Sequence, residues 1–533
     1  MAALEHALNG EASTAPALRH TIARAVLAVP CVLVIFLAAA NDYLFLLPGF
    51  GWIPHIQLLM QFNSYVFLFV FLPCMLALYA LYRRSPLANW ILGAGSLVVY
   101  ATVGLVYLLP LLFTCAFDYL AGAYLWRSSD ERKRKIVFVT SVVVQLSLLA
   151  TFKYAGWLSN EVNAASTYLG LGFTVAQLSL PLPPGISFYT FHTISYTADI
   201  YRRTFVSRVR LADYVTFVAF FPQLVAGPIA RASELLPQIA VKRPAIAMQA
   251  AEGAFWLIAW GLFKKMCLAD NFGLLVTQAT AALGNPDSAR GVGYIFMYGF
   301  AAQIYCDFSA YTDIARGIAR LFAIELTRNF LTPYFSRSPS EFWQRWHISL
   351  SRWLRDYLYI PLGGERHGRL KTLRNLTITM FLGGLWHGAG VGFIGWGLYH
   401  GALLVLYRVL PLDQIFRKHL RRFGDVLAVL LMFNLVSVGW IFFRAPREAI
   451  WPLLASLASA PSLAAQASLL WGMVLFGTPL LITETIARFN GVEFVDLGER
   501  MRWWLRAALY VAIFYAVVFF AAREQNEFIY FRF

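Results

Sequence analysis

The chain has 533 residues, of which 59% are hydrophobic, 16% aromatic and only 14% charged, against roughly 25% charged in an ordinary soluble domain. With a mean hydropathy of +0.60, this balance excludes a soluble globular enzyme and describes an integral membrane protein. The net charge of +16 suggests nucleic acid as a partner, but Lys and Arg cluster at 83–84, 130–135, 201–203 and 417–422, in short loops between apolar runs. That is the positive-inside pattern, so those loops are cytoplasmic and no nucleic acid is expected.

In chain order, apolar stretches near the 20 residues that cross a bilayer fall at 22–46, 63–82, 88–126 (two passes, Pro110 near the return), 136–154, 185–201, 213–229, 250–268, 292–321, 372–390, 392–410, 424–443, 467–487 and 504–522. About a dozen spans are expected. The first follows a polar lead and has no small-residue cleavage site after its apolar core, so it reads as a retained span. Residues 1–60 then form an N-terminal extension with one added span, and 61–533 one all-α polytopic membrane domain. The five cysteines, Cys31, Cys74, Cys115, Cys267 and Cys306, stand apart in apolar segments. They lack metal or redox spacing, so no metal and no bound cofactor is expected.

The run "YCDFSAYTDIARG" at 305–317 puts Asp307 and Asp313 in an apolar segment, where carboxylates need partners. An arginine of the region 327–374 is the natural candidate, and support of the fold the expected role. That region holds too many charges to cross lipid. Its centre, "SPSEFWQRWHISLSRWLRDYLYIPLGG", opens with Ser338, Pro339 and Glu341, which form an N-cap, a first-turn proline and a capping box. One helix is predicted from there to Pro361 and Gly363. Trp343, Trp346, Leu350, Trp353 and Tyr357 form its apolar stripe, and Arg345, Ser349, Arg352 and Asp356 its polar one. Such a helix lies at an interface or lines a polar cavity. His347 falls between the stripes, either as a solvated surface group or as a site residue.

The next run, "RNLTITMFLGGLWHGAG", carries His387. A helix beginning near Thr372 places it roughly 22 Å along the axis, inside a hydrocarbon core of about 30 Å. Gly383, Gly384, Gly388 and Gly390 surround it, leaving room beside the ring or breaking the helix. An imidazole at that depth is either a hydrogen-bonded structural group or a general base. His400, further along, reads as structural. The chain has no phosphate loop, nucleophile elbow, metal cluster or dinucleotide fingerprint. Two histidines without an obvious protein nucleophile suit base-assisted acyl transfer from an activated thioester.

The linked segments "YCDFSAYTDIARG", "EFWQRWHISLSRWLRDYLYIPLGG", "RNLTITMFLGGLWHGAG" and "LVSVGWIFFRA", with "LPPGISFYTFHTISYTADIYRR", "FFPQLVAGPIAR" and the closing "FIYFRF", resemble the membrane-bound O-acyltransferase family. The resemblance is to its bacterial branch typified by the alginate O-acetyltransferase membrane subunit. It implies a ring of helices around a central funnel, with amphipathic or re-entrant helices. It makes His387 the near-invariant histidine and His347 the second active-site polar position, with Arg345, Trp346, Asp356, Trp386 and Asn375 against substrate. It further implies a cytoplasmic donor such as acetyl-CoA or an acyl carrier protein thioester, and residence in the bacterial inner membrane among its lipids. A periplasmic or membrane-anchored acetyltransferase partner would esterify an exported polysaccharide such as alginate. A transporter, a scaffold of an export complex, and an acyltransferase for lipid or teichoic acid are the alternatives.

Overall fold

The structure, a computed structural model, describes residues 62–178, 180–205, 207–522 and 527–531. The first expected span and the whole 1–60 extension lie outside the described residues. Among the described residues the regular structure is helical, without strands. Its main helices are α1 (Leu72–Tyr82), α2 (Ala88–Ala101), α3 (Leu108–Arg127), α4 (Glu131–Tyr168), α5 (Ile186–Tyr201), α6 (Leu211–Ala219), α7 (Met248–Phe263), α8 (Asp270–Ala281), α9 (Val292–Leu321), α10 (Pro339–Arg345), α11 (Ile348–Leu354), α12 (Arg369–His387), α13 (Val391–Val409), α14 (Leu412–Arg444), α15 (Ala467–Asn490) and α16 (Trp503–Phe520).

Five of these, α3 with its preceding turn, α4, α14, α15 and α16, are long and apolar enough to cross a membrane. Among the described residues the expected dozen is not resolved as single long apolar helices, since several apolar runs are split or short. The run at 213–229 breaks into α6 and a four-residue helix, Phe221–Leu224. The return between α2 and α3 is made at Thr102–Gly104, where Gly104 takes φ +154°, and not at Pro110. That proline lies in the first turns of α3, where its missing N–H costs no helical bond.

Two helices form the centre. Every residue of α5 from Ile186 to Ile200 is buried, as is every residue of α9 from Ile304 to Ala319. A helix buried all round needs other helices on every side, and α9 packs against α7, α8, α14 and α15.

Between α7 and α8 the chain continues as a π-helix, Lys264–Ala269. Its wider turn lets two neighbouring lysines both face α9. Lys264 pairs with Asp313 at 2.7 Å, and Lys265 with Asp307 at 2.9 Å and Asp270 at 2.8 Å. The expected arginine of region 327–374 is therefore corrected to these lysines, joined by Arg316, whose guanidinium lies 3.5 Å from Asp313. Periodicity cannot show this, because a π-turn shifts the register of the face.

The single amphipathic helix is also corrected. The Glu341 amide donates to Ser338 Oγ at 3.3 Å, as the N-cap requires, but α10 ends at Arg345. Trp346 is extended and His347 left-handed, with φ +42°. α11 then runs on into a π-turn, Arg355–Tyr359. The break exists because the strand-like segment 329–331 pairs with it: the Leu331 amide donates to Arg345 O at 3.0 Å and the Ile348 amide to Asn329 O at 2.9 Å.

Candidate active site

α12 starts with Arg369, Lys371 and Arg374 and carries His387 as the last of its 19 residues, about 27 Å from the basic end. It stops there because Gly388 is extended and Gly390 adopts φ +155°. Gly388 is required by packing: a Cβ on it would meet the Phe393 ring at 2.1 Å. Gly384 lets α12 cross α13 closely, its Cβ position lying 2.4 Å from Phe393 O and 3.0 Å from Gly397 Cα.

The His387 ring is buried among Trp386, Trp396, Phe443 and Tyr530, at centroid distances of 4.9, 5.0, 5.2 and 5.9 Å. Its Nδ1 has no hydrogen-bond partner among the described residues. His347 turns into the same enclosure. Its ring lies 4.6 Å from Phe308 and 6.1 Å from both Trp386 and Tyr530, and neither ring nitrogen has a partner among the described residues. The two histidines therefore face one aromatic chamber, with Trp386 and Tyr530 in contact with both.

Tyr530 reaches the chamber from a short turn, Ile529–Phe531. The Ile529 amide donates to Asp307 Oδ2 at 2.7 Å, and Lys265 Nζ approaches Glu527 O at 3.4 Å. The ring packs on Phe308 at 4.3 Å and Phe188 at 5.9 Å. The sequence reading did not single it out. The available signal was Asp307, a buried carboxylate whose second oxygen needed a donor.

Clefts lie on different sides of the helices that carry the two histidines. One of about 540 Å³ lies between α4, α5, α11 and α12 and ends on Trp386, with Tyr154, Phe191 and Trp353 in its walls. A more polar one of about 500 Å³, under α10 and α11, is lined by Gln344, Ser351, Arg352, Arg355 and Glu365. At the opposite end, a third of about 270 Å³ is bounded by Trp157, Glu161, Phe393, Phe443 and Arg447. Phe443, in its wall, packs on the His387 ring at 5.2 Å.

Residues 201–443 match the model of MBOAT, the membrane-bound O-acyltransferase family. The chain is 39% identical over 403 residues to the probable alginate O-acetylase AlgI of Azotobacter vinelandii, covering 75% of this chain and 78% of that protein. It belongs to the membrane-bound O-acyltransferase family. It is also 35% identical to the peptidoglycan O-acetyltransferase of Helicobacter pylori, over 72% of this chain and 77% of the relative. With the teichoic acid D-alanyltransferase of Bacillus subtilis it shares 27% identity, over 54% of this chain and 81% of the relative. The protein is thus a multi-pass membrane O-acyltransferase. Both chamber histidines fall within the matched region, whereas Tyr530 lies beyond it.

The remaining expected site residues have partners of their own in this acyltransferase. Arg345 is paired with Glu341 at 3.0 Å and donates to Leu331 O at 3.3 Å. Asp356 sits between Arg231 and Arg355, each at 2.6 Å. Asn375 donates to Leu362 O and Gly364 O at 3.2 and 3.0 Å, fastening the loop that precedes α12. Trp346 is buried and packs on Phe330 and Trp440, both at 5.0 Å. Of the five, Trp386 alone contacts both histidines.

Asn329 was also missed. Fully buried, its Oδ1 accepts from Ser349 Oγ at 2.6 Å and the Ser349 amide at 3.2 Å, and its carbonyl from the Ile348 amide. A non-glycine residue with positive φ costs about 1–3 kcal/mol and persists only where its surroundings hold it. Asn329 holds His347 there. Asn329→Ala should cost about 1–3 kcal/mol of stability from the unsatisfied groups and lower transfer activity beyond the loss of folded protein. Specific activity of the purified variant beside its melting midpoint checks this; unchanged specific activity would separate Asn329 from the site.

Proposed function

We propose that this acyltransferase passes an acetyl or similar short acyl group from a thioester donor at the cytoplasmic face of the inner membrane to an exported polysaccharide. His387 is the general base, taking a proton from the attacking hydroxyl. His347 orients or relays within the same chamber. The observation that carries the reading is the convergence of two buried imidazoles on one enclosure flanked by clefts at opposite ends of the protein. Water exclusion strengthens such a site and protects the thioester from hydrolysis.

The donor, acetyl-CoA or an acyl carrier protein thioester, would approach through the polar cleft with Arg352 and Arg355. The acceptor side is the cleft at Trp157, Glu161 and Arg447. A periplasmic or membrane-anchored acetyltransferase would complete the esterification. The names of the relatives support a cell-envelope polymer such as alginate or a related exopolysaccharide as acceptor. The test is the O-acetyl content of exported polymer in cells carrying wild type, His387→Ala or His347→Ala, with membrane levels checked by blot. Loss of esters at constant polymer yield supports transfer. Loss of the polymer itself would favour an export role.

A further inference from the structure

Lys153 lies on α4, buried, far from any basic loop. Its ammonium donates to the carbonyl of Trp386 and, at 3.2 Å, approaches Ser187 Oγ; it stands 5.9 Å from the Trp386 ring centroid. The adjacent Tyr154 hydroxyl donates to Leu385 O at 2.5 Å. The buried lysines of the π-turn have carboxylate partners, but no carboxylate pairs with Lys153 among the described residues. A buried ammonium without a counter-ion is costly, and packing alone is served as well by methionine.

What replaces the counter-ion is the end of a helix. Because α12 stops at His387, the carbonyls of its last turn have no helical donors, and they carry a partial negative charge of about half an electron in sum. Two of them, Leu385 O and Trp386 O, receive donors from consecutive residues of α4. The Trp386 carbonyl belongs to the peptide whose nitrogen is that of His387.

We propose that Lys153 is a positioning residue for His387. Its ammonium fixes the plane of the Trp386–His387 peptide, and through it the direction in which the imidazole enters the chamber. The inference rests on the reading of His387 as the base.

The test compares Lys153→Met, Lys153→Arg and His387→Gln in cells, as early O-acetyl content of the exported polymer per unit of membrane protein. Melting midpoints of the detergent-purified proteins are measured beside it. Lys153→Met is expected to lose about 10- to 100-fold of the ester signal, the scale of a misplaced catalytic group, with its midpoint close to wild type. Lys153→Arg, which keeps the donor and the charge, is expected to retain most of it. Wild-type ester content in Lys153→Met overturns the proposal. So does equal loss in both lysine variants with matching falls in midpoint, which would mark a packing role alone. Esters that survive His387→Gln overturn the base assignment itself, whereas an inactive His387→Gln beside an active Lys153→Met removes the Lys153 inference only.

Discussion

His387→Gln is expected to lower acyl transfer about 10²- to 10⁴-fold, the usual contribution of a general base, at an unchanged level of folded protein. Glutamine fits the space of the imidazole and cannot take up a proton. The fold has little to lose, since the His387 Nδ1 has no hydrogen-bond partner among the described residues, and the close crossing with α13 depends on Gly384 and Gly397. His347→Gln is a contrasting case, because its backbone must keep φ +42°. Its loss is expected to be smaller, about tenfold, for a group that orients without accepting the proton. The measurement is initial rate per folded molecule, with folded fraction read by size exclusion. A His387→Gln protein of near wild-type rate would leave the ring as a packing element between Trp396 and Phe443, and the base would have to be sought elsewhere in the chamber.

The place of His387 far along its helix was legible because two one-dimensional facts suffice for it: the start of a helix and the rise per residue. The membrane class and the N-cap at Ser338 follow from composition and local chemistry in the same way. His347 was placed on the right segment but in the wrong local structure. Its left-handed turn is imposed by Asn329 and the backbone of residues 329–331, which pair with it across a gap no periodic pattern spans. Lys153 and Tyr530 were invisible for a related reason. Lys153 stands alone in an apolar run, and "FIYFRF" carried only the family resemblance, because the carbonyls and the carboxylate that receive these residues come from elsewhere in the chain. Arg345, Asp356 and Asn375, expected against substrate, each have hydrogen-bond or ion-pair partners within the chain that no sequence spacing shows.

The other large effect is expected at Lys265. Its side chain is 1% exposed, and its ammonium holds Asp270 and Asp307 together. Lys265→Met leaves two buried carboxylates without their cation, and breaking such a pair costs about 3–5 kcal/mol from a total of roughly 5–15. A sharply lower melting midpoint and reduced membrane level should follow. Asp307→Asn acts differently. The Lys265–Asp270 pair survives, but an amide has one acceptor oxygen where the carboxylate had two: if that oxygen accepts from the Ile529 amide, the NH2 group faces the Lys265 ammonium, and the charge that strengthened the Ile529 hydrogen bond is gone. Stability should fall by about 1–3 kcal/mol, less than in Lys265→Met, while residues 527–531 loosen and Tyr530 withdraws from the two histidines. Carboxypeptidase sensitivity of the purified variant, followed by mass spectrometry, reads that release directly, and transfer activity reads its consequence. If Asp307→Asn exposes the segment and lowers activity while its midpoint stays above that of Lys265→Met, the buried ions serve the site. If Lys265→Met melts like wild type, the two carboxylates do not depend on the lysine, and the network does not hold Tyr530 in place.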